Sequence, residues 1–345
     1  MESEGLLSLA KNSTIKYIDL FCGIGGFRYA ITMAGKKQGI DVECVLSSDI
    51  DENAQNAYEA NFGERPIGDI TKVAEKDVPD HDLLLGGFPC QAFSIIGAGK
   101  GFDDTRGTLF FDVARILKEK RPRAFVLENV KQLRGHDHGR TLETILKTLD
   151  ELDYWVDYRI LNALDYGLPQ KRERILIVGF QRGTQGDFKW PKPKSVTPIL
   201  ENYLENDEDV PAEYFASKKI VESRKRMTKG KQLPPGRSIW HENKSGNISA
   251  LPYSCALRAG ASYNYLLVDG IRRLTMREML SLQGFPKSFK IVCNYSETRK
   301  QAGNSVPVPM ISAVINEVLA VIKDTQSASN PKATSIRQES LPINF

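Results

Sequence analysis

Short apolar segments alternate with helical segments over the first half of the chain, and this alternation limits the fold more than any other feature. The segments with strand character are residues 15–21, 42–47, 83–85, 124–127 and 175–180. The helical segments between them are residues 27–34, 53–60, 109–120 and 142–152. Several of the strands are apolar throughout, which is typical of a parallel sheet covered by helices on both faces. The sequence therefore predicts an α/β fold.

The pattern changes after Phe180. Residues 181–270 are rich in Pro, Gly, Asn, Ser and Lys, and the one long helix predicted there covers residues 212–226. We interpret this stretch as a second, smaller and irregular domain. Helical character returns at residues 275–283 and 308–323. The predicted organisation is a large first domain, an inserted domain with a hinge, a segment that returns to the first domain and a disordered tail, at residues 1–185, 186–302, 303–323 and 324–345.

The five cysteines of this 345-residue chain form no Cys-x-x-Cys pair. Their spacing argues against both a disulfide framework and a zinc site. No apolar run is long enough to span a bilayer, and the acidic N-terminal residues do not match a signal peptide. We therefore expect a protein of a reducing, cytoplasmic compartment, with no metal and no membrane partner.

Basic residues are concentrated in one part of the chain. Residues 186–302 contain 20 Lys and Arg against 12 Asp and Glu, whereas the rest of the chain contains 27 against 31. A basic region on an acidic body is the distribution expected when one region binds phosphates. A solvated surface would have a similar composition, so the asymmetry alone leaves both interpretations open.

A glycine-rich turn joins the first predicted strand to the first helix. Residues 19–26 read Asp-Leu-Phe-Cys-Gly-Ile-Gly-Gly, and glycines there let the backbone and the helix N-terminus approach a ligand closely. Asp49, at the end of the second strand, can accept hydrogen bonds from both hydroxyls of a ribose. A dinucleotide fingerprint would need a further glycine where the chain has Arg28. This departure favours S-adenosylmethionine over a nicotinamide cofactor.

Cys90 follows a proline in residues 86–91, Gly-Gly-Phe-Pro-Cys-Gln, at the end of an apolar strand. An exposed thiol there can act as a nucleophile, although a cysteine taken alone is more often a buried structural residue. Polar clusters follow at residues 128–130 (Glu-Asn-Val), 170–174 (Gln-Lys-Arg-Glu-Arg) and 303–306 (Gly-Asn-Ser-Val). Because ligands bind at the carboxyl ends of parallel strands, we expect these clusters and Cys90 to meet at one edge of the sheet.

In their order and wording, these motifs resemble those of the cytosine-C5 DNA methyltransferases over most of the chain. The motifs that carry the resemblance are residues 21–26, Asp49, 68–70 (Gly-Asp-Ile), 87–91, 106–111 (Arg-Gly-Thr-Leu-Phe-Phe), 128–130, 170–174, 273–286 (from Arg-Leu-Thr to Leu-Gln-Gly-Phe-Pro) and 303–306. The resemblance implies a Rossmann-like sheet that binds S-adenosylmethionine and a smaller, irregular target-recognition domain. It also implies methyl transfer to C5 of a flipped-out cytosine in a specific sequence of double-stranded DNA.

The resemblance assigns catalytic roles to Cys90, Glu128, Arg172 and Arg174. Cys90 would add to C6 of the base, because a thiolate adduct turns C5 into a nucleophile. Glu128 would hold or protonate N3, and burial is expected to keep its pKa high enough for this task. Arg174 would contact the O2 carbonyl of the base, and Arg172 a phosphate of the DNA backbone.

The same resemblance implies how the base is reached and chosen. The cytosine must leave the duplex, and residues 94–101 are predicted to form a mobile loop that closes over it. Gln91 and Ser94 would contact DNA from this loop. Main-chain carbonyls around Phe88 and Pro89 would accept a hydrogen bond from the exocyclic amine and so select cytosine.

Ten positions match those that bind the cofactor in this family. They are Phe21, Ile24, Gly26, Asp49, Ile50, Asp69, Ile70, Leu109, Asn304 and Ser305. Several relatives carry an aromatic residue after the ribose-binding acid, where this chain has Ile50. We therefore expect an aliphatic contact with the adenine instead of ring stacking.

The basic insert matches the family's target-recognition domain in position. Its predicted DNA contacts are Arg224, Arg226, Arg237, Lys244 and Arg258. Phosphate contacts of this kind give affinity and salt dependence without reading the base sequence. Residues 251–261, which we call the recognition segment, are the first candidate for reading base edges in the major groove.

Three other interpretations stay open from the sequence. A tRNA cytosine methyltransferase of the same fold typically has a short insert and a Cys-Phe-Thr tripeptide, which this chain lacks. A silent DNA-binding regulator would not need Cys90, Glu128 and Arg174 together, and a dehydrogenase would leave Cys90 without a role. The leading interpretation is a monomeric, nucleoid-associated enzyme whose cognate restriction endonuclease acts on the same DNA site without stable binding.

Overall fold

The computed structural model describes residues 14–89, 109–195 and 198–329. Six strands form the central sheet, with a two-residue strand, β6 (Gln170–Lys171), outside it. The six are β1 (Ile15–Leu20), β2 (Val42–Ser48), β3 (Leu83–Gly86), β4 (Ala124–Val130), β5 (Tyr154–Asn162) and β7 (Glu173–Gln181). Their order across the sheet is β2-β1-β3-β4-β7-β5. The α/β prediction is confirmed.

The sheet is parallel on one side and antiparallel on the other. Strands β2, β1, β3 and β4 are parallel neighbours, whereas β7 runs antiparallel to both β4 and β5. The prediction of a parallel sheet is therefore wrong for β7 alone, because the connection from β5 to β7 is too short for a parallel crossover. Reversal of β7 brings its amino end to the edge where the parallel strands end, and Arg174 pairs with Val130 there.

Helices cover both faces of the sheet. The α-helices of the described residues are α1 (Gly26–Gln38), α2 (Glu52–Phe62), α3 (Leu109–Lys120), α4 (Arg140–Glu151), α5 (Lys218–Thr228), α6 (Met276–Leu282), α7 (Tyr295–Asn304) and α8 (Val308–Ser329), of which α5 lies in the inserted region. One buried cluster joins α1 and α8 to the sheet, and a second joins α3 and α4 to it. The segment Tyr295–Thr325 has the length and composition to cross a membrane, but 72% of its most apolar window is buried inside the protein. This segment is therefore part of the protein core.

Four elements differ from the sequence-based expectation. Strand β5 was not predicted, because its middle is polar and only partly buried. Helix α5 begins at Lys218 instead of residue 212, and α7 had no strong apolar period to mark it. Helix α8 continues to Ser329, so residues 324–329 are helical and not disordered; the rest of the predicted tail, residues 330–345, lies outside the described residues.

The inserted region has a small sheet of its own. Strands β8 (Ile239–Glu242), β9 (Ile248–Leu251) and β11 (Leu266–Val268) form an antiparallel sheet in the order β11-β8-β9. Strand β10 (Ser254–Cys255) pairs with β6 of the large domain. The insert is thus joined to the large domain through main-chain hydrogen bonds at the start of the recognition segment.

The beginning of the predicted insert packs on the large sheet. Trp190 donates a hydrogen bond from Nε1 to Asp157 on β5 at 2.7 Å. Phe188 contacts the rings of Trp155 and Phe180. These aromatic contacts extend the core of the large domain beyond residue 186 and place the start of the insert firmly against it.

A buried ion pair fixes the other end of the insert. The side chain of Arg272 is fully buried and contacts both carboxylate oxygens of Glu278 at 2.9 Å and Asp207 at 2.6 Å. Glu278 also completes a capping box with Thr275 at the start of α6. One guanidinium therefore ties the stretch around Asp207 to the first turn of α6.

Candidate active site

A cavity of about 700 Å³ opens at the carboxyl edge of the parallel strands. All ten predicted cofactor-binding residues line it, together with Glu128, Arg172 and Arg174. Its wall combines the glycine turn, the ends of β2, β3 and β4, the start of α3 and the loop between α7 and α8. The structure thus brings together the motifs that the sequence separates by almost 300 positions.

The glycine turn has a backbone that side chains rarely allow. Phe21, Gly23 and Gly25 have φ angles of 56°, 54° and 87°, and a Cβ on Gly25 would collide with the ring of Phe62. A Cβ on Gly26 would lie 2.7 Å from Cγ2 of Val306. The turn therefore packs directly on the segment before α8, and its glycines are required for that approach.

Asp49 is held in place by the backbone at the end of β2. Its carboxylate accepts hydrogen bonds from the amides of Gly23 at 2.8 Å and Asp51 at 2.9 Å. Burial raises the pKa of Asp49, and these two amides oppose the shift. The carboxylate lines the cavity beside Ile50, whose side chain is 73% exposed. The pair offers a hydrogen-bond acceptor and an apolar surface side by side.

A second carboxylate, Asp69, stands on the same wall. It caps the short helix Ile70–Lys72 and accepts hydrogen bonds from the amide and the hydroxyl of Thr71. These hydrogen bonds, led by that from the hydroxyl, lower the pKa of Asp69. Ile70 and Leu109 add apolar surface to this part of the cavity.

Asp19 lies beneath the glycine turn, and no hydrogen bond within the described part of the chain compensates the burial of its carboxylate. Its side chain is fully buried, and neither carboxylate oxygen has a hydrogen-bond partner among the described residues. Burial raises the pKa of Asp19 to about 8, against a partial opposing effect of Arg28. Asp19 therefore releases its proton at a higher pH than a free aspartate does.

Glu128 and Arg174 form an ion pair deep in the cavity. Nε of Arg174 lies 2.7 Å from Oε1 of Glu128, on the register of β4 and β7 that brings the two side chains to one edge. Burial raises the pKa of Glu128, and the charges of Arg174 and Arg172 oppose the shift. A Cβ added to Gly87 would lie 3.6 Å from Oε2, so the absence of a side chain at residue 87 keeps this oxygen open.

Arg172 does not contact phosphate as predicted. The residue is 1% exposed, and its guanidinium donates to three main-chain carbonyls, those of Leu257, Gly303 and Ser305. Burial lowers its pKa, followed by the charge of Arg174. A buried guanidinium with its donors directed at carbonyls has no route to a backbone phosphate, so that part of the prediction is wrong.

Asn129 is a site residue to which sequence reasoning gave no role. Its Nδ2 donates a hydrogen bond to the carbonyl of Phe88 at 2.9 Å, and its Oδ1 accepts one from the amide of Val130. Asn129 thus fixes the main chain just before Cys90. Its position after Glu128 in a motif was the available signal, but nothing in the sequence indicated its partner.

The remaining predicted catalytic elements fall outside the described residues. They are Cys90, Gln91, Ser94 and the loop of residues 94–101. The described chain reaches Pro89, which lines the cavity.

The five predicted DNA contacts divide into two groups. Arg226, Lys244 and Arg258 are exposed, and Arg258 stacks over the ring of Tyr265. Arg224 is buried and pairs with Glu242 at 2.6 Å.

Arg237 belongs with Arg224 and not with the exposed group. It forms ion pairs with Asp207 at 2.7 Å and Asp269 at 2.5 Å. The predictions for Arg224 and Arg237 as phosphate contacts are therefore wrong, because carboxylates of the insert already neutralise both.

Comparison with known proteins gives consistent matches over almost the whole chain. The family model for C-5 cytosine-specific DNA methylase matches residues 15–320. Type II methyltransferase M.NgoBI of Neisseria gonorrhoeae is 57% identical over 298 residues, covering 86% of this chain and 91% of that protein. Type II methyltransferase M.HaeII of Haemophilus aegyptius is 54% identical over 304 residues, covering 88% and 92%.

Solved structures agree on the fold. The methyltransferase EhMeth of Entamoeba histolytica superposes with a TM-score of 0.66 at 17% identity, covering 91% of this chain and 99% of that one. At this identity the likeness concerns the architecture, a mostly parallel sheet between helices with a smaller inserted region.

Proposed function

This chain belongs to the C-5 cytosine-specific DNA methylase family, and on that premise we propose how its cavity performs the reaction. The protein is a DNA (cytosine-5) methyltransferase that uses S-adenosylmethionine and acts on double-stranded DNA. The observation that carries the proposal is that the Glu128–Arg174 pair and the Asp49 carboxylate line one cavity. We propose that this cavity binds the cofactor at one end and a flipped-out cytosine at the other.

The cofactor end fits S-adenosylmethionine. The whole cavity, at about 700 Å³, lies within the range usual for ligand sites, about 300–1,000 Å³. Asp49 is oriented to accept hydrogen bonds from ribose hydroxyls, and exposed Ile50 offers the adenine an apolar surface. The other proposed contacts are Phe21, Ile24, Gly26, Asp69, Ile70, Leu109, Asn304 and Ser305. When bound, the cofactor supplies a methyl group made electrophilic by its sulfonium.

At the base end, we propose that Glu128 acts as the proton donor or holder at N3. Burial raises the pKa of Glu128, so its carboxyl keeps a proton to higher pH than a free glutamate does. The Arg174 contact fixes Oε1 and leaves Oε2 facing Gly87 and the cavity. Arg174 itself is the candidate contact for the O2 carbonyl of the base. The pair would neutralise charge that enters the ring during attack.

The proposed nucleophile is Cys90. Its thiolate would form a bond to C6, and the ring electrons displaced by that bond make C5 nucleophilic. After C5 has gained the methyl group, loss of the C5 proton expels the thiolate and restores the aromatic ring. Asn129 supports this geometry, because its hydrogen bond to Phe88 anchors the strand end that leads to Cys90.

The insert is the proposed target-recognition domain. Exposed Arg226, Lys244 and Arg258 supply positive charge for backbone phosphates. The recognition segment is the proposed reader of base edges, because it is joined to the catalytic domain through β6 and β10. Base flipping would then place the target cytosine over Glu128.

We also propose the setting in which the enzyme acts. It would work as a monomer on the nucleoid in the cytoplasm, with a restriction endonuclease of the same specificity as a separate protein. Size-exclusion chromatography with light scattering checks the first point, because a dimer would double the measured mass.

Base-resolution mapping of cytosine methylation tests the proposed function. DNA would be taken from a methylation-free bacterial host that expresses the protein, beside hosts that express Cys90→Ala or Glu173→Gln. We expect one short motif methylated by the wild type and by Glu173→Gln but not by Cys90→Ala. Unmodified DNA with soluble wild-type protein would contradict the proposal, and methylated tRNA in that case would favour the RNA alternative.

A further inference from the structure

A buried polar seam joins the recognition segment to the cofactor-binding end of the cavity. At its centre, Nη1 of Arg172 donates to the carbonyl of Leu257 at 3.1 Å. Nη2 donates to the carbonyls of Gly303 at 2.9 Å and Ser305 at 2.6 Å. Leu257 lies in the recognition segment, whereas Gly303 and Ser305 line the cofactor cavity. One planar and rigid group therefore holds both regions at fixed separation.

Two glutamines extend the seam on either side of Arg172. Oε1 of Gln170 accepts from the amide of Leu257 at 3.3 Å, and its Nε2 donates to the carbonyl of Leu282 at 2.8 Å. Nε2 of Gln283 donates to the carbonyl of Ala302 at 2.5 Å. Both glutamine side chains are fully buried. Because buried polar groups that lose their partners cost free energy, these contacts resist independent movement of the two regions.

The two backbones also touch directly at Gly303. A Cβ at this position would lie 2.6 Å from the amide nitrogen of Ala259 and 3.0 Å from the carbonyl carbon of Arg258. Backbone atoms cannot yield as a flexible side chain can. Gly303 is therefore required for close contact between the recognition segment and the loop that leads into α8.

We propose that Arg172 and Gly303 are positioning residues that couple DNA recognition to cofactor binding. Contact of the recognition segment with its DNA sequence would stabilise Leu257 and Ala259 in the positions seen here. Through the seam this would stabilise residues 303–305, and so tighten the cofactor site. By linkage, a bound cofactor tightens DNA binding by the same factor. The inference rests on the proposed function, because it requires the recognition segment to contact DNA.

Isothermal titration of S-adenosylhomocysteine measures this coupling without turnover. The affinity is determined for the protein alone, with a duplex that carries the motif found by methylation mapping, and with a scrambled duplex. The variants are Arg172→Lys, whose single ammonium nitrogen replaces the planar fork that reaches Leu257 from Nη1 and residues 303 and 305 from Nη2, and Gly303→Ala. Gly135→Ala is the matched control, because its added Cβ meets nothing within 4 Å.

For the wild type and Gly135→Ala, we expect the cognate duplex to tighten S-adenosylhomocysteine binding by about tenfold, within the usual range of coupling. In Arg172→Lys and Gly303→Ala the factor should fall below about twofold. A side chain with a purely structural role would weaken binding equally with and without DNA, so it would not change this ratio.

Equal affinity with and without the cognate duplex, in a wild-type preparation that methylates that duplex, would overturn the inference and leave the proposed function intact. Full coupling in both variants would overturn it as well. If Arg172→Lys fails to fold, Gly303→Ala decides the question alone. A protein that neither methylates DNA nor binds a duplex specifically would remove the proposed function and the inference with it.

Discussion

The large sheet and the insert differ in how far their buried charges are offset. At the edge of the sheet, Asp19 has no hydrogen-bond partner among the described residues and burial raises its pKa, and burial raises the pKa of Glu128 even beside Arg174. Arg172 is likewise buried against carbonyl groups only. In the insert, Arg224 and Arg272 are buried beside carboxylates that neutralise them.

This difference distinguishes buried groups that a catalytic site can use from buried ion pairs that stabilise the fold. A buried group without a counter-charge has a perturbed protonation state, which a catalytic site can use. A buried ion pair has its charge satisfied and stabilises irregular chain that lacks a large apolar core. The same residue types therefore support catalysis at the edge of the large sheet and stability in the insert. Substitutions should mainly change activity in the first region and the free energy of unfolding in the second.

The largest expected effect concerns Glu128. Glu128→Gln keeps the side-chain size but cannot transfer a proton, so kcat should fall by about 10² to 10⁴. Affinity for S-adenosylhomocysteine should change less than about threefold, because Glu128 lies at the base end of the cavity. Steady-state kinetics on a cognate duplex and isothermal titration measure the two quantities.

Glu173→Gln is the matched control for that experiment. Glu173 pairs with Lys131 on the outside of the site, and its amide variant should keep full activity. Equal loss of kcat in both variants would mean that the buried carboxyl of Glu128 has no special role.

The next largest effect is on stability and belongs to the insert. Arg272→Met leaves Glu278 buried without its counter-charge, which should lower the free energy of unfolding by about 3–5 kcal/mol. Arg65→Met, which breaks the exposed pair with Glu59, should cost less than about 1 kcal/mol. Urea denaturation compares the two, and similar losses would contradict the architectural role of the buried pair.

The uncompensated carboxyl of Asp19 predicts a pH dependence of stability. Its pKa is raised by burial to about 8 in the folded protein, whereas an unfolded aspartate titrates near pH 4. Between about pH 4 and pH 8, the folded state therefore keeps a proton that the unfolded state releases. The stability that this group contributes below pH 4 is lost as the pH rises towards 8. The slope from this group is at most about 1.4 kcal/mol per pH unit.

Asp19→Asn should remove most of that slope. Asp80→Asn, at a fully accessible surface aspartate, should leave it unchanged. Chemical denaturation at several pH values between 5 and 8 gives the comparison. An unchanged slope in Asp19→Asn would assign the pH dependence to another group.

The smallest expected effect distinguishes two neighbours on α5. Arg226→Ala should weaken duplex binding a few-fold and reduce the slope of log affinity against log salt by about 0.9, the value for one phosphate contact. Arg224→Ala should leave the salt slope unchanged and lower stability instead, because Arg224 pairs with Glu242. Fluorescence anisotropy at four salt concentrations measures both slopes. A larger change of the salt slope in Arg224→Ala than in Arg226→Ala would mean that Arg224, and not Arg226, contacts a phosphate.

Sequence reasoning predicted the elements that depend on local patterns and missed the features that depend on contacts between distant residues. The four parallel strands and their helices were predicted, because each is marked by its own local apolar period. The direction of β7 was not, since a buried strand has the same composition in either direction. Residues 170–174 were correctly expected at the cavity edge, but only the reversal of β7 explains why they lie there.

For the site, motifs located the residues that line the cavity but not the partners of buried side chains. Burial of Glu128 was predicted together with its raised pKa, and both are found. The carbonyls that surround Arg172 and the carboxylates beside Arg237 come from distant parts of the chain, and one sequence carries no sign of these contacts. Charge alone therefore could not distinguish basic residues available to DNA from those already neutralised.

The close packing of Gly26 on Ser305 and Val306 has a consequence for protein synthesis. The glycine turn leaves the ribosome early, whereas residues 303–306 are among the last parts of the described chain to be translated. Domains tend to fold from the N-terminus as they emerge, so the large sheet begins to form while the cofactor cavity still lacks one wall. The cavity wall that the glycine turn shares with residues 303–306 is therefore complete only after residue 306 has emerged from the ribosome.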